Sequence, residues 1–492
     1  MNPGSPSDWD HPRRATQRIA RNTIYLAGAD VLGKVMAFLF FMLAARHLGV
    51  QKFGVFSFAL AYTSMFSVFT DLGLGVISAR EIARDRGAAR LYVSNSLTIK
   101  LAVSAVLVAI AVVSVGLVSR DPVAVRTTRI VSPFILTSSV ALYYGFVFQG
   151  FERMGYSALV RLLQAMVLVA GAWAIGRGSA MASRYAWLYL AAGCGSAIFA
   201  WLAVSIRFVS PGLRFDLGFW RRMLGDSLPV GFAAAFAMLY YWNGSAFLAR
   251  MSGDTAVGLY NAPFRLVLGL SFAGAAYTQA VYPAMSRMHV KDPLRLREMS
   301  TRSVHYMIVA AVPLAVIGGA LARPVILLLY GSSYLGSIPV LAVLVWWGAF
   351  MYLNQMVSQS LYSVDRPGVV TAQTAVGLGV NLVLNVALIP QLGALGAAIS
   401  IAIAEAVGLT FLLARQARTA ARVEGRRILS VLLRSLVASL PAALAGWLVA
   451  RWAAVPALLV AAAVYVVFLF LLRGLRRRDL AALCLGLERY ER

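Results

Sequence analysis

Charged side chains stand at several points where the chain is otherwise apolar. Asp30, Lys34, Asp71, Lys100, Arg265 and Glu405 all fall inside such stretches. An ionised group at the centre of a bilayer costs about 2.5–3.5 kcal/mol on insertion scales, so it persists where it is paired, reaches the interface or faces water. Arg265 is the sharpest case. It lies in "GLYNAPFRLVLGL" (258–270), with no acid one turn away at 261, 262, 268 or 269. About ten residues, or roughly 15 Å of helix, separate it from the near end of its apolar block, too far for easy snorkelling. Its planar, permanently charged fork suits phosphate oxygens taken two at a time. Arg265 therefore either lines a cavity and meets an anionic ligand, or pairs with an acid on another helix.

The other charges carry similar alternatives. Asp30 and Lys34 are four apart and share one helix face. They form a local ion pair, or a cavity-facing pair that opens when a ligand or proton arrives. Asp71, in "TDLGLG", either caps a helix break or serves as a gate partner for a cation. Lys100 either snorkels from the start of its block or contacts substrate. Glu405, in "AIAEAVG", is the acid deep in the second half of the chain. It is either a proton-coupling carboxylate or the partner of Arg265. Aromatic clusters at 141–151, 239–244 and 345–352 read first as packing or interfacial belts. The four histidines are scattered without metal-ligand spacing, and Cys194 and Cys484 imply no disulfide framework.

The elements that must position these groups follow from composition. Of 492 residues, 60% are hydrophobic and 13% charged, where a soluble domain averages about 45–50% and about 25%. Mean hydropathy is +0.76. The chain is an integral membrane protein. About fourteen blocks are long enough to span, near 23–46, 53–78, 94–119, 128–149, 157–176, 185–206, 227–249, 256–285, 303–322, 337–363, 368–390, 393–414, 430–450 and 454–472. "PVILLLYG" after Arg323 reads as a short re-entrant or interfacial piece, and 215–224 ("FDLGFWRRML") as a short interfacial amphipathic helix.

The net charge of +26 lies between the blocks, which points to membrane topology rather than nucleic acid. With the N-terminus placed in the cytoplasm, the inner segments carry 31 Lys and Arg and the outer ones 10, while Lys34, Lys100, Arg265 and Arg434 lie within spans. This bias predicts an even number of spans and two cytoplasmic termini. No G-x-x-x-x-G-K-[ST] occurs, so no ATP-driven step is expected.

An internal repeat sets Ala45–Ala61 over Ala249–Arg265 at a constant offset of 204. The Ala, the Arg and both glycines coincide, reading as a helix end, a glycine turn and the start of the next helix. Six spans separate the copies. The expected organisation is a cytoplasmic N-tail (1–21), an N-lobe (22–208), a linker with the interfacial helix (209–226) and a C-lobe (227–415). Two further spans with their basic loop (416–473) and a basic tail (474–492) complete it. Parallel repeats of this kind place the substrate route between the lobes.

Three stretches now carry a resemblance: "ARHLGVQKFGVFSFALAYTSMFSVFTDLGL" with "SAREIAR", "GDTAVGLYNAPFRLVL", and "NLVLNVALIPQLGALGAAISIAIAE". The chain resembles the O-antigen and exopolysaccharide flippases (Wzx type) of the multidrug/oligosaccharidyl-lipid/polysaccharide exporter superfamily, relatives of the MATE and MurJ transporters. The resemblance implies an all-α fold of two pseudo-symmetric six-helix lobes plus two helices. It implies movement of an undecaprenyl-diphosphate-linked oligosaccharide from the inner to the outer leaflet of the bacterial cytoplasmic membrane. Alternating access would use the H⁺ or Na⁺ gradient or the membrane potential, with no bound cofactor.

Arg265, Lys34 and Lys100 are then candidates for the diphosphate, and Asp30, Asp71 and Glu405 for coupling or gating. Membrane lipids, a polysaccharide polymerase and glycosyltransferases are the expected partners, and nucleic acid is not. A MATE-like drug or cation antiporter and a lipid II flippase are the alternatives. One departure stands out. Some relatives carry an Asp in span seven and bind a cation through an Asn-x-x-x-Asp pair in span eleven. Here these positions read Asn243, Asn381 and Asn385, which offer carbonyl oxygens in a polar cavity but no charge.

Overall fold

The computed structural model describes residues 12–71, 73–176, 181–472 and 474, and all regular structure among them is helical. The chain order is α1 (Pro12–Ser67), α2 (Leu74–Arg84), α3 (Ala89–Val118), α4 (Pro122–Val131), α5 (Phe134–Gly150), α6 (Met154–Ile175), α7 (Ala182–Arg207) and α8 (Leu217–Met251). Then come α9 (Gly253–Leu270), α10 (Phe272–Lys291), α11 (Pro293–Ala320), α12 (Ala322–Leu329), α13 (Ile338–Tyr362), α14 (Pro367–Leu392), α15 (Ala394–Gln416), α16 (Gly425–Val449) and α17 (Ala454–Leu471). The N-tail to residue 11 and the tail from 475, with Cys484, lie outside the described residues, as does the Asp30 side chain.

Twelve segments among the described residues are long and apolar enough to cross a membrane. The expectation was about fourteen. One of the twelve, Val31–Thr70, runs through Gly49, whose φ of 70° and ψ of 175° break α1 into two helices. The expected 227–249 block lies within α8, which is not among the twelve. The stretch after Arg323 forms α12, a separate eight-residue helix. The amphipathic 217–224 stretch does not stand alone. It forms the first turns of α8, which continues through Gly225 and Pro229, and it buries Phe219 and Met223 against Leu74, Ile77 and Ile99.

The chain divides into two compact units, Met1–Leu48 with Val55–Trp242, and Gly49–Gly54 with Asn243–Arg492. In the first, α5 packs on α2, α3 and α7. Its Tyr143, Tyr144, Val147 and Phe148 are fully buried with Ile82, Val93 and Ala200. In the second, α13 is the central helix, contacting α9, α10, α11 and α15. α16 packs on α11 and α17 packs on α16, with Ala438, Ala442, Ala457 and Ala461 in the buried core they share.

The repeat has a physical role at both of its glycine positions. Gly49 and Gly253 occupy equivalent places and both have positive φ, 70° and 78°, which glycine adopts without Cβ strain. Five residues on, a Cβ on Gly54 would stand 1.8 Å from the Asp254 carbonyl oxygen, and one on Gly258 would stand 2.1 Å from that of Val50. The two copies therefore cross backbone against backbone, a separation only paired glycines allow.

Candidate functional site

The apolar stretches that carry Asp71 and Arg265 are interrupted, and each interruption frees backbone carbonyls. Within a bilayer such groups must find partners in the protein. The side chains that supply those partners include several of the polar residues singled out from sequence.

In the first unit, α1 ends in a 3-10 turn at Val68–Thr70, and Gly73, at φ 80°, precedes α2. Asp71 stands in this break. Lys100 comes across from α3, and its Nζ donates to Asp71 Oδ1 at 2.7 Å and to the Thr70 carbonyl at 3.1 Å. The ammonium also lies 5.6 Å from the Tyr143 ring centroid. The Lys100 side chain is 0% exposed and that of Asp71 19%. Lys100 thus turns inward rather than snorkelling, and closes the break with its charge. The Tyr143 hydroxyl in turn donates to the Tyr92 carbonyl at 3.3 Å and lies within hydrogen-bond distance of Ser78 Oγ, also at 3.3 Å.

In the second unit, Arg265 is half-buried on α9. Two residues before it, Pro263 lies inside the helix. Proline has no N–H, so the Leu259 carbonyl loses its helical donor. The Ser337 hydroxyl replaces it, donating to Leu259 O at 2.8 Å. The Tyr330 hydroxyl donates to Ala262 O at 2.8 Å. On the buried side, Phe264 stacks between Tyr260 at 5.3 Å and Trp347 at 4.9 Å. The helix stops at Leu270, whose carbonyl takes the Tyr352 hydroxyl at 2.6 Å. Arg265 therefore projects from a short, distorted helix that is fastened on both sides of it. Sequence reasoning found Arg265, placed Tyr352 only within an aromatic cluster, and singled out neither Ser337 nor Tyr330. Pro263 was the available signal, since an interior proline demands a substitute donor.

Glu405, on α15, is 5% exposed. Asn354 Nδ2 of α13 donates to its Oε1 at 2.7 Å and to its backbone carbonyl at 3.0 Å. Asn354 is a further residue that sequence reasoning did not single out. Lys34 is exposed on α1.

The three asparagines meet. Asn385 Nδ2 donates to Asn243 Oδ1 at 2.7 Å and to Asn381 Oδ1 at 3.2 Å, joining α8 to α14. All three are buried. The donor set does not suit a hard cation, which binds best to several oxygens including carboxylates. Every member here is a neutral carboxamide, and two of the oxygens already accept hydrogen bonds.

These features define the class: an all-helical, multi-span membrane protein with the fold of the MurJ and MATE transporters. The structure superposes on the lipid II flippase MurJ in an inward closed conformation with a TM-score of 0.74, at 14% identity, over 90% of this chain and 98% of that one. An inward-facing multidrug resistance MATE family transporter of the MOP superfamily gives 0.61 at 16% identity, over 78% and 94%. Residues 19–289 match the family described as Polysaccharide biosynthesis protein, and the chain belongs to that family.

Two curated relatives carry provisional transport assignments. The Haloferax volcanii low-salt glycan biosynthesis flippase Agl15 is 22% identical over 79% of this chain and 81% of its own. An Escherichia coli K12 O-antigen transporter is 24% identical over 65% and 75%.

Proposed function

We propose that this protein is a flippase. Its substrate is an undecaprenyl-diphosphate-linked oligosaccharide, an O-antigen or exopolysaccharide repeat unit, carried from the inner to the outer leaflet of the bacterial cytoplasmic membrane. The family, and relatives assigned as a glycan-biosynthesis flippase and an O-antigen transporter, support this reading. The observation that carries it is Arg265. A guanidinium on an apolar span, held by a helix whose Leu259 and Ala262 carbonyls take the Ser337 and Tyr330 hydroxyls, is a preorganised partner for a diphosphate.

The mechanism is alternating access between the two lobes. Arg265 takes the diphosphate, and Lys34 is a further candidate cation for it. Polar side chains accommodate the sugars and the prenyl chain stays in lipid. Lys100 is left out of the substrate set, because its ammonium is sealed on Asp71 and the Thr70 carbonyl. Glu405 is the coupling carboxylate of the second lobe, oriented by Asn354. Both termini lie in the cytoplasm, a reading that the bias of basic residues supports. The glycosyltransferases that build the lipid-linked glycan and the polymerase that consumes it are the functional partners.

The MATE-like alternative requires a site for cationic cargo, which a guanidinium on this span opposes. The test is export of surface glycan by cells carrying Arg265→Ala or Arg265→Lys at membrane levels matched to the parent. Loss in the first and strong impairment in the second are expected. Normal export by Arg265→Ala would reject the site.

A further inference from the structure

The carboxamide cluster in the second unit has a role of its own. Asn243, Asn381 and Asn385 are 3%, 2% and 0% exposed. Buried polar groups in a membrane bundle must be satisfied or filled. Oxygen-lined sites of this sort can be filled by a cation that neutralises and bridges them. Here the bridging is done by the chain.

The Asn385 –NH₂ group has two protons, and each goes to a carbonyl oxygen on a different residue, Asn243 at 2.7 Å and Asn381 at 3.2 Å. One oxygen, Asn385 Oδ1, is left over, and a single neutral oxygen does not make a cation site. No group of three or more His, Cys, Asp or Glu suited to a metal exists among the described residues.

We infer that these three residues form an amide lock between α8 and α14, in which the Asn385 amide nitrogen does what a bound cation would do, so that sodium does not bind or act through this cluster. The inference does not rest on the flippase reading. A half-turn of the Asn385 carboxamide would bring three carbonyl oxygens together, which would need a cation or an added donor between them. The hydrogen bonds favour the inward-facing nitrogen instead. What separates this cluster from a sodium site is thus one negative charge, and Asn385→Asp supplies it among the two remaining carbonyls.

The test uses the purified full-length protein and reads thermal unfolding in sodium chloride against choline chloride at equal ionic strength. This readout needs no glycan, so its failure and the failure of the flippase reading are distinct. The parent protein is expected to unfold at the same temperature, within about 1 °C, in both salts, as required of a chain that gains nothing from ligand linkage. Asn385→Asp is expected to show a saturable upward shift in sodium. If that variant does not fold, Asn243→Asp places the same charge on the α8 side and is expected to respond likewise. A saturable sodium shift in the parent, abolished by Asn385→Ala, would overturn the lock. So would folded Asp variants at both positions that ignore sodium.

Discussion

Lys100→Met is the perturbation whose size the structure fixes best. The substitution keeps most of the side-chain volume against Tyr143 and removes the charge. It deletes two charge-assisted hydrogen bonds, at 2.7 Å to Asp71 and 3.1 Å to the Thr70 carbonyl. It leaves a carboxylate, 19% exposed, alone at a helix break. Breaking a buried pair by removing one partner costs about 3–5 kcal/mol, mostly from the charge left behind. Asp71→Asn should cost at least as much, because the ammonium it abandons is 0% exposed. The double variant Asp71→Asn with Lys100→Met strands no charge and loses mainly the donor to Thr70, which amounts to about 1–2 kcal/mol. The signature is therefore a double variant more stable than either single. Denaturant unfolding in mixed micelles, followed by intrinsic fluorescence, measures all three. Single variants that each cost less than about 1 kcal/mol, or a double variant that costs their sum, would refute the pairing as the element that holds the break.

Three further outcomes follow from the same geometry. Ser337→Ala should cost about 1–2 kcal/mol by stranding the Leu259 carbonyl, and Pro263→Ala on top of it should restore stability by returning the helical N–H; additive losses in unfolding measurements would contradict this. Gly54→Ala or Gly258→Ala should each destabilise the fold by about 3 kcal/mol or more and lower folded yield, because the new Cβ meets a carbonyl oxygen at about 2 Å; size-exclusion profiles of wild-type shape would count against the crossing. Asn354→Leu should cost about 2–3 kcal/mol by removing a donor to the buried Glu405 carboxylate, with Glu405→Gln in the same chain recovering part of it in the same unfolding assay.

The parts of the fold readable in sequence were those that leave a local mark. The repeated glycines at an offset of 204 announced two chain reversals, and their equivalent positive φ values show why both positions are glycine. Asp71 beside Gly73 announced a break in the second apolar block, and the 3-10 turn and left-handed Gly73 lie there. The partners were not readable. Lys100 and Asp71 are 29 residues apart and meet only when α3 packs beside the break, so Lys100 resembled any lysine near a membrane surface. Span ends were blurred where two helices adjoin without a polar loop, as at Ser271, because hydropathy continues across a bend that backbone geometry does not. Asn381 and Asn385 shared a face by spacing alone, but which atom of each carboxamide turns inward depends on Asn243 from α8.

The most direct test of the flippase reading is reconstitution. Purified protein in vesicles would be given undecaprenyl-diphosphate-linked oligosaccharide in one leaflet, and its appearance in the other followed by an impermeant glycan-modifying enzyme. The predicted result is transfer that depends on the protein, falls to background with Arg265→Ala, and excludes phospholipids lacking the diphosphate-glycan. Transfer that persists undiminished in Arg265→Ala, or that moves all lipids alike, would contradict it.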